Sequence, residues 1–75
     1  MKAELEGRVR NRIREHRISA GWSQQQLADV VGATRQTINA IEQEKYSPSL
    51  ELAFRLATAF GRPFEDVFRY STEKA

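Results

Sequence analysis

Apolar side chains recur at helical spacing along this chain, in short runs that glycines and prolines separate. The longest run would give one broad apolar stripe on a helix. Its members are Leu50, Ala53, Phe54, Leu56, Ala57 and Phe60. Ser49 would cap this helix, with Pro48 just outside it, and Gly61 would end it, since serine suits the first position and glycine the last.

A complete helix start signal lies earlier in the chain, at Ser23. Its hydroxyl can accept a hydrogen bond from the first helical turn, and Gln26 can reach back to the cap, which makes a capping box. Trp22 and Leu27 have the spacing of a hydrophobic staple. The pattern predicts a helix that begins after Ser23 and runs to Val31.

A short turn separates this helix from the next one. Gly32 would end the first of the two in a left-handed conformation, and Thr34 would cap a helix over residues 34–43 that turns Ile38 and Ile41 inward. A turn of about three residues forces two helices to cross at a steep angle. This segment is therefore predicted to be a helix-turn-helix unit.

A further helix is predicted near the N-terminus, over roughly residues 11–20. It would place Ile13, His16 and Arg17 on one side before Gly21 stops it. The single histidine has no partner for a metal site or a catalytic dyad, so packing on the helix is its expected role.

The C-terminal part of the chain adds a short fifth helix and a strand. Pro63 suits the first turn of a helix that carries Phe64, Val67 and Phe68. Residues 68–71 then alternate between apolar and polar, which is typical of a strand that could pair with Val9. The predicted fold class is all-α with five helices and a short terminal strand pair. The predicted divisions are a flexible leader at residues 1–7, one domain at residues 8–71 and a flexible tail at residues 72–75.

Composition and charge narrow the class of protein. The 75 residues hold no cysteine, so neither a disulfide nor a thiolate metal site is expected. No apolar run approaches the roughly 20 residues of a membrane span, which favours a soluble, cytoplasmic protein. The net charge is only +2, but five arginines and one acid lie between residues 8 and 17. Such a run either attracts phosphate or is only a solvated helix face.

The outward face of the third helix is suited to DNA. It carries no acid and no large apolar residue, and it consists of Arg35, Gln36, Asn39, Ala40 and Gln43. Arginine matches the two acceptors of guanine in the major groove, and Asn or Gln matches the donor–acceptor pair of adenine. The alternative is an ordinary polar helix face, but such a face usually mixes Glu and Lys.

Glu42 is an acid near the end of this helix that points partly inward, because it lies four residues from Ile38. An unpaired buried charge is costly, so this carboxylate needs a cationic partner. Arg17 of the first helix is the candidate.

Residues 23–48 resemble the Cro/CI-type (XRE-type) helix-turn-helix domain, and the similarity extends over roughly residues 10–70. Ala28 matches the small residue where the two helices cross, and Gly32 matches the turn glycine. The buried positions of the family match Leu27, Val31, Ala33, Ile38 and Ile41. The resemblance implies a lambda-repressor-like fold and a sequence-specific regulator of transcription, most often a repressor, that binds double-stranded DNA with residues 34–43 in the major groove.

The resemblance also implies roles for single residues. Arg35, Gln36 and Asn39 would read bases, with Thr37 and Ala40 at the groove surface. Phosphate contacts would come from Gln24, Thr34, Gln43, Lys45 and Tyr46. Arg17 and Glu42 would form a structural salt bridge. Glu44 departs from the pattern, which most often has glycine or asparagine there; a left-handed glutamate costs on the order of 1 kcal/mol, so we expect the helix to end differently.

The small size of the domain implies that it binds DNA as an oligomer. One recognition helix reads only a few base pairs, so we expect a homodimer on an inverted repeat with half-sites about 34 Å apart. The expected dimer interface consists of Phe64, Val67, Phe68 and Tyr70. An antitoxin or protein-interaction module of the same fold is the alternative, and non-specific architectural DNA binding is a second one. No enzyme activity, cofactor, metal, small-molecule effector or membrane partner is indicated.

Overall fold

The computed structural model describes residues 4–72. In this part of the chain, five helices lie between the two strands of an antiparallel sheet in chain order. The elements are β1 (Arg8–Asn11), α1 (Ile13–Ser19), α2 (Gln24–Val31), α3 (Arg35–Glu42), α4 (Leu50–Phe60), α5 (Phe64–Val67) and β2 (Phe68–Ser71). The predicted fold class and the strand pair are confirmed, with Val9 opposite Tyr70. No helix of residues 4–72 is long and apolar enough to cross a membrane.

Side-chain caps define where the three main helices begin. The capping box forms as predicted: Ser23 Oγ accepts from the Gln26 N–H at 3.0 Å, and Gln26 Oε1 accepts from the Ser23 N–H at 2.8 Å. Thr34 and Ser49 each accept from a backbone N–H three residues later, both at 3.1 Å. Gly32 ends α2 with a φ of 76°, a backbone conformation that residues with a Cβ rarely adopt. These signals fix the length of each helix and the turn between α2 and α3.

One apolar core holds the helices together, because every helix contributes a fully buried side chain. These side chains are Ile13, Leu27, Ile38, Ile41, Leu56 and Val67. Burying a branched aliphatic side chain contributes about 1.5–3 kcal/mol, so the six together dominate the stability of so small a domain.

The apolar pattern alone did not predict which of these side chains the other elements cover. Leu50 and Phe54 belong to the apolar stripe of α4 but are 70% and 52% exposed, because the stripe is wider than the face that the other helices cover. The prediction that Val67 and Phe68 lie at a dimer interface is wrong, because they are only 1% and 5% exposed. They fill the core of their own chain and cannot present a contact surface to a partner.

The expectation that Glu44 would make α3 end differently is also wrong. Glu44 adopts the left-handed conformation, with a φ of 60°. Its N–H donates to Ile41 O at 2.9 Å, and the N–H of Lys45 donates to Ala40 O at 2.9 Å. This is the Schellman ending that glycine normally provides. The helix therefore ends as the family resemblance implies, although glutamate is unfavourable in the left-handed conformation.

Contacts from β1 compensate for this strain. The Glu44 carboxylate lies 2.9 Å from Arg10 Nε and accepts from the Asn11 N–H at 3.3 Å. The Asn11 side chain donates to Ile41 O at 2.8 Å, so it satisfies a carbonyl at the end of α3. A half-exposed ion pair contributes up to about 1 kcal/mol, and a partly buried hydrogen bond about as much, so together they offset the backbone cost of one left-handed residue.

We expect Glu44→Ala to lower the free energy of unfolding by about 2 kcal/mol, because it removes these contacts and keeps the left-handed strain. Glu44→Gly removes the same contacts but relieves the strain, so it should be more stable than the alanine variant by roughly 1 kcal/mol. Urea denaturation followed by circular dichroism measures both. An alanine variant as stable as the glycine variant would show that the backbone at residue 44 carries no strain.

Candidate nucleic-acid interface

The exposed face of α3 is set by the crossing of α2 and α3. Ile38 and Ile41 are completely buried, which turns Arg35, Gln36 and Asn39 outward to solvent. Thr37 and Ala40, which are expected at the groove surface, are both half-buried. The described α3 face thus displays one guanidinium and two side-chain amides, without a carboxylate between them.

An ion pair connects α1 to the end of α3. Arg17 Nε lies 2.7 Å from Glu42 Oε2, and Arg17 Nη2 donates to Glu42 Oε1 at 3.1 Å, so the contact is bidentate. The side chains are only 13% and 5% exposed. The hydrogen bond to Glu42 raises the pKa of Arg17 above its ordinary value. Arg17 also donates to Trp22 O at 3.0 Å, which attaches the residue before the Ser23 cap to the same ion pair.

A network of side-chain amides begins at this ion pair and ends on the exposed face. Gln24 Nε2 donates to Glu42 Oε1 at 3.3 Å and to Asn39 Oδ1 at 3.1 Å. Gln43 Nε2 donates to the same Asn39 oxygen at 3.2 Å. Asn39, the central polar residue of the exposed face, is therefore held from both sides.

The residues expected to contact phosphate occupy different surroundings. Lys45 and Tyr46 are exposed in the loop after α3, and the Tyr46 side chain is 54% exposed. The Thr34 hydroxyl caps α3 and lies 3.0 Å from the hydroxyl of Thr37. Gln24 differs, because both hydrogens of its amide are donated within the protein. A phosphate at this point would instead meet the N-terminal end of α2, where the first backbone N–H groups point out of the helix.

Arg14 is a further candidate that sequence reasoning did not single out. It lines a polar depression together with Gln24, Asn39 and Gln43. The other arginines between residues 8 and 17 each lie within 4 Å of a carboxylate of Glu15, Glu42 or Glu44. No such pair involves Arg14 among residues 4–72. The arginine run was visible in the sequence, but which member lay beside α3 was not.

Comparisons with known proteins agree with this geometry. A helix-turn-helix family model matches residues 13–67. The chain belongs to this family. Within it, the Cro/CI-type resemblance predicted from the sequence is confirmed, because the similar proteins and solved structures are regulators of that type.

Three members of the helix-turn-helix family illustrate the similarity. An HTH-type transcriptional regulator of Methanothermobacter thermautotrophicus is 56% identical over 61 residues, which cover 80% of this chain and 88% of the relative. The regulator YgzD of Bacillus subtilis is 47% identical over 60 residues, covering 80% of this chain and 91% of YgzD. The restriction-modification controller protein C.AhdI of Aeromonas hydrophila superposes with a TM-score of 0.68 at 31% identity, over 72% of this chain and 82% of C.AhdI.

We expect Glu42→Ala to lower the free energy of unfolding by about 3 kcal/mol, because it leaves the Arg17 guanidinium largely buried without its counter-ion. Glu51→Ala is the matched control. It breaks an ion pair with Arg55 whose side chains are 75% and 54% exposed, so it should cost less than about 0.5 kcal/mol. Urea denaturation of both variants measures the difference. Equal losses would mean that the Arg17–Glu42 pair contributes no more than a surface contact.

Proposed function

We propose that this DNA-binding helix-turn-helix protein is a sequence-specific transcriptional regulator, and that it acts as a repressor. The observation that supports the proposal best is the acid-free outward face of α3, whose central residue Asn39 is held by an amide network that begins at the Arg17–Glu42 ion pair. Arginine and amide groups suit the edges of bases in the major groove. A protein that occupies such a site excludes others from it, which makes repression the simplest outcome.

The proposed contacts divide into two groups. Arg35, Gln36 and Asn39 read bases, and the half-buried Thr37 and Ala40 allow the helix to approach the groove floor. Phosphates are contacted from the flanks of α3 by Thr34, Gln43, Lys45, Tyr46 and Arg14, and by the first turn of α2 at Gln24. Base contacts supply sequence preference, whereas phosphate contacts supply affinity and orientation.

Selection from a random pool of double-stranded DNA tests this proposal, and an enriched inverted repeat is the expected result. On the enriched sequence, Arg35→Ala should cost about 1–3 kcal/mol and relax the preference at one base pair. Lys45→Ala should instead weaken binding to specific and random DNA alike, and should flatten the dependence of log K on log salt by about one unit. Equal losses for both variants on both DNAs would contradict base reading by Arg35.

We also propose that the protein binds DNA as a homodimer through an apolar surface formed by α4, α5 and β2. This surface keeps Phe64 and Tyr70 of the predicted interface and has Leu50 and Phe54 where Val67 and Phe68 were expected. Leu50, Phe54 and Tyr70 are each more than half exposed, and Leu50 and Tyr70 line one apolar groove with Phe64. The rings of Phe54 and Phe64 lie 4.8 Å apart, so Phe54 borders the same groove. Neighbouring exposed apolar side chains are typical of contact surfaces, and a second copy would supply the second recognition helix.

Sedimentation equilibrium tests the dimer at micromolar protein concentration, with and without operator DNA. Leu50→Gln and Phe54→Gln should each weaken dimerisation at least tenfold, because each removes apolar area near the centre of the surface. Ile18→Gln is the matched control, since Ile18 is 57% exposed on α1, away from the groove. A wild-type protein that stays monomeric under both conditions would contradict the dimer.

A further inference from the structure

The amide network determines which atoms of Asn39 face outward. The Glu42 carboxylate can only accept hydrogen bonds, so the atom of Gln24 that lies 3.3 Å from it has to be the NH2 group. The same Gln24 nitrogen lies 3.1 Å from Asn39, which must therefore present its oxygen. Gln43 in turn has to present its own NH2 group to that oxygen, at 3.2 Å. The charge of Glu42 thus sets the orientation of three neutral amides, for which the positions of O and N would otherwise be interchangeable.

Asn39 Oδ1 is fully occupied by this arrangement. A carbonyl oxygen has two lone pairs, and here one takes the Gln24 hydrogen and the other the Gln43 hydrogen. The bidentate contact of Asn with adenine needs that oxygen as an acceptor for the adenine N6 amino group. Only the Asn39 NH2 group is left to contact a base.

We infer that Asn39 reads DNA as a pure donor, and that it selects guanine rather than adenine. Guanine offers two adjacent acceptors in the major groove, N7 and O6, whereas adenine offers N7 beside its N6 amino group, a donor that would face the Asn39 NH2 group. Gln24 and Glu42 are positioning residues for this choice and touch no base themselves. The inference rests on the proposed function, because it requires α3 to lie in the major groove.

Base-preference profiles of matched variants test the inference. Asn39→Ala first locates the base pair, as the position where selectivity is lost. At that position the wild type should prefer guanine over adenine by about tenfold, within the range that one good base contact gives. Gln24→Met keeps the length of the side chain but frees one lone pair of Asn39 Oδ1, so adenine should become the preferred base. A wild type that prefers adenine, or a Gln24→Met variant with an unchanged profile, would overturn the inference.

Two further variants separate positioning from general damage. Gln25→Met changes a neighbouring glutamine of α2 whose amide donates to Asp29 at 2.9 Å instead, so its profile should match that of the wild type. Asn39→Asp keeps an oxygen facing Gln24 and Gln43 but replaces the outward NH2 group with an acceptor. It should shift the preference away from guanine and towards the bases that offer an amino group there, cytosine through N4 and adenine through N6. This shift remains measurable even if Gln24→Met fails to fold, and its absence would count against the inference.

The free protein supplies an independent measurement. In the NMR spectrum, the side-chain NH2 hydrogens of Gln24 should exchange slowly with solvent, because both are donated, whereas those of Asn39 should exchange rapidly. The reversed pattern would overturn the network itself. If the wild type enriches no sequence while the expected exchange pattern is present, the proposed function fails and the base preference fails with it, but the amide network stands.

Discussion

The Glu42 carboxylate is the interaction on which the DNA-facing part of the molecule depends. It pairs with Arg17 of α1, accepts from Gln24 of α2 and belongs to α3, so three helices meet at one nearly buried charge. An apolar side chain at this position could fill the same space, and replacing buried ion pairs by apolar residues is often neutral for stability. An apolar residue could not, however, impose a direction on the amides of the exposed face. The charge therefore contributes orientation as much as stability.

Glu42 and Glu44 create the same electrostatic problem at the end of α3. A carboxylate near the bound phosphates would repel them, and a helix C-terminus already carries partial negative charge. Arg17 neutralises Glu42, and Arg10 with Arg8 neutralises Glu44. Both pairs also have a mechanical effect, since they attach the end of α3 to α1 and to β1. Helix α3 is thereby fixed at its C-terminal end as well as at its Thr34 cap.

Local signals made much of this fold predictable from the sequence. The Ser23 capping box, the Gly32 turn and the apolar spacing of α3 act between residues that are close along the chain, and the charge of Glu42 required a cation on the facing helix. Other features depend on tertiary contacts. The left-handed Glu44 is stabilised by Arg10, 34 residues away, and the orientation of Asn39 is set by Gln24, 15 residues away. The apolar pattern of α4 likewise did not reveal that its neighbours cover only part of the stripe, which left Leu50 and Phe54 exposed.

The use of arginines in internal ion pairs limits how the protein can bind DNA. Most of the cations between residues 8 and 17 are matched with carboxylates, so near α3 the positive charge available for phosphates comes mainly from Arg14, Arg35 and Lys45. Each neutralised phosphate contributes roughly 0.9 to the slope of log K against log salt, so about three contacts give only weak non-specific affinity. A single chain would then depend on base contacts for most of its discrimination. A second copy on the same DNA would double both the phosphate contacts and the base contacts. This gain is the physical reason to expect a dimer, and the exposed apolar residues of α4 offer a surface for it.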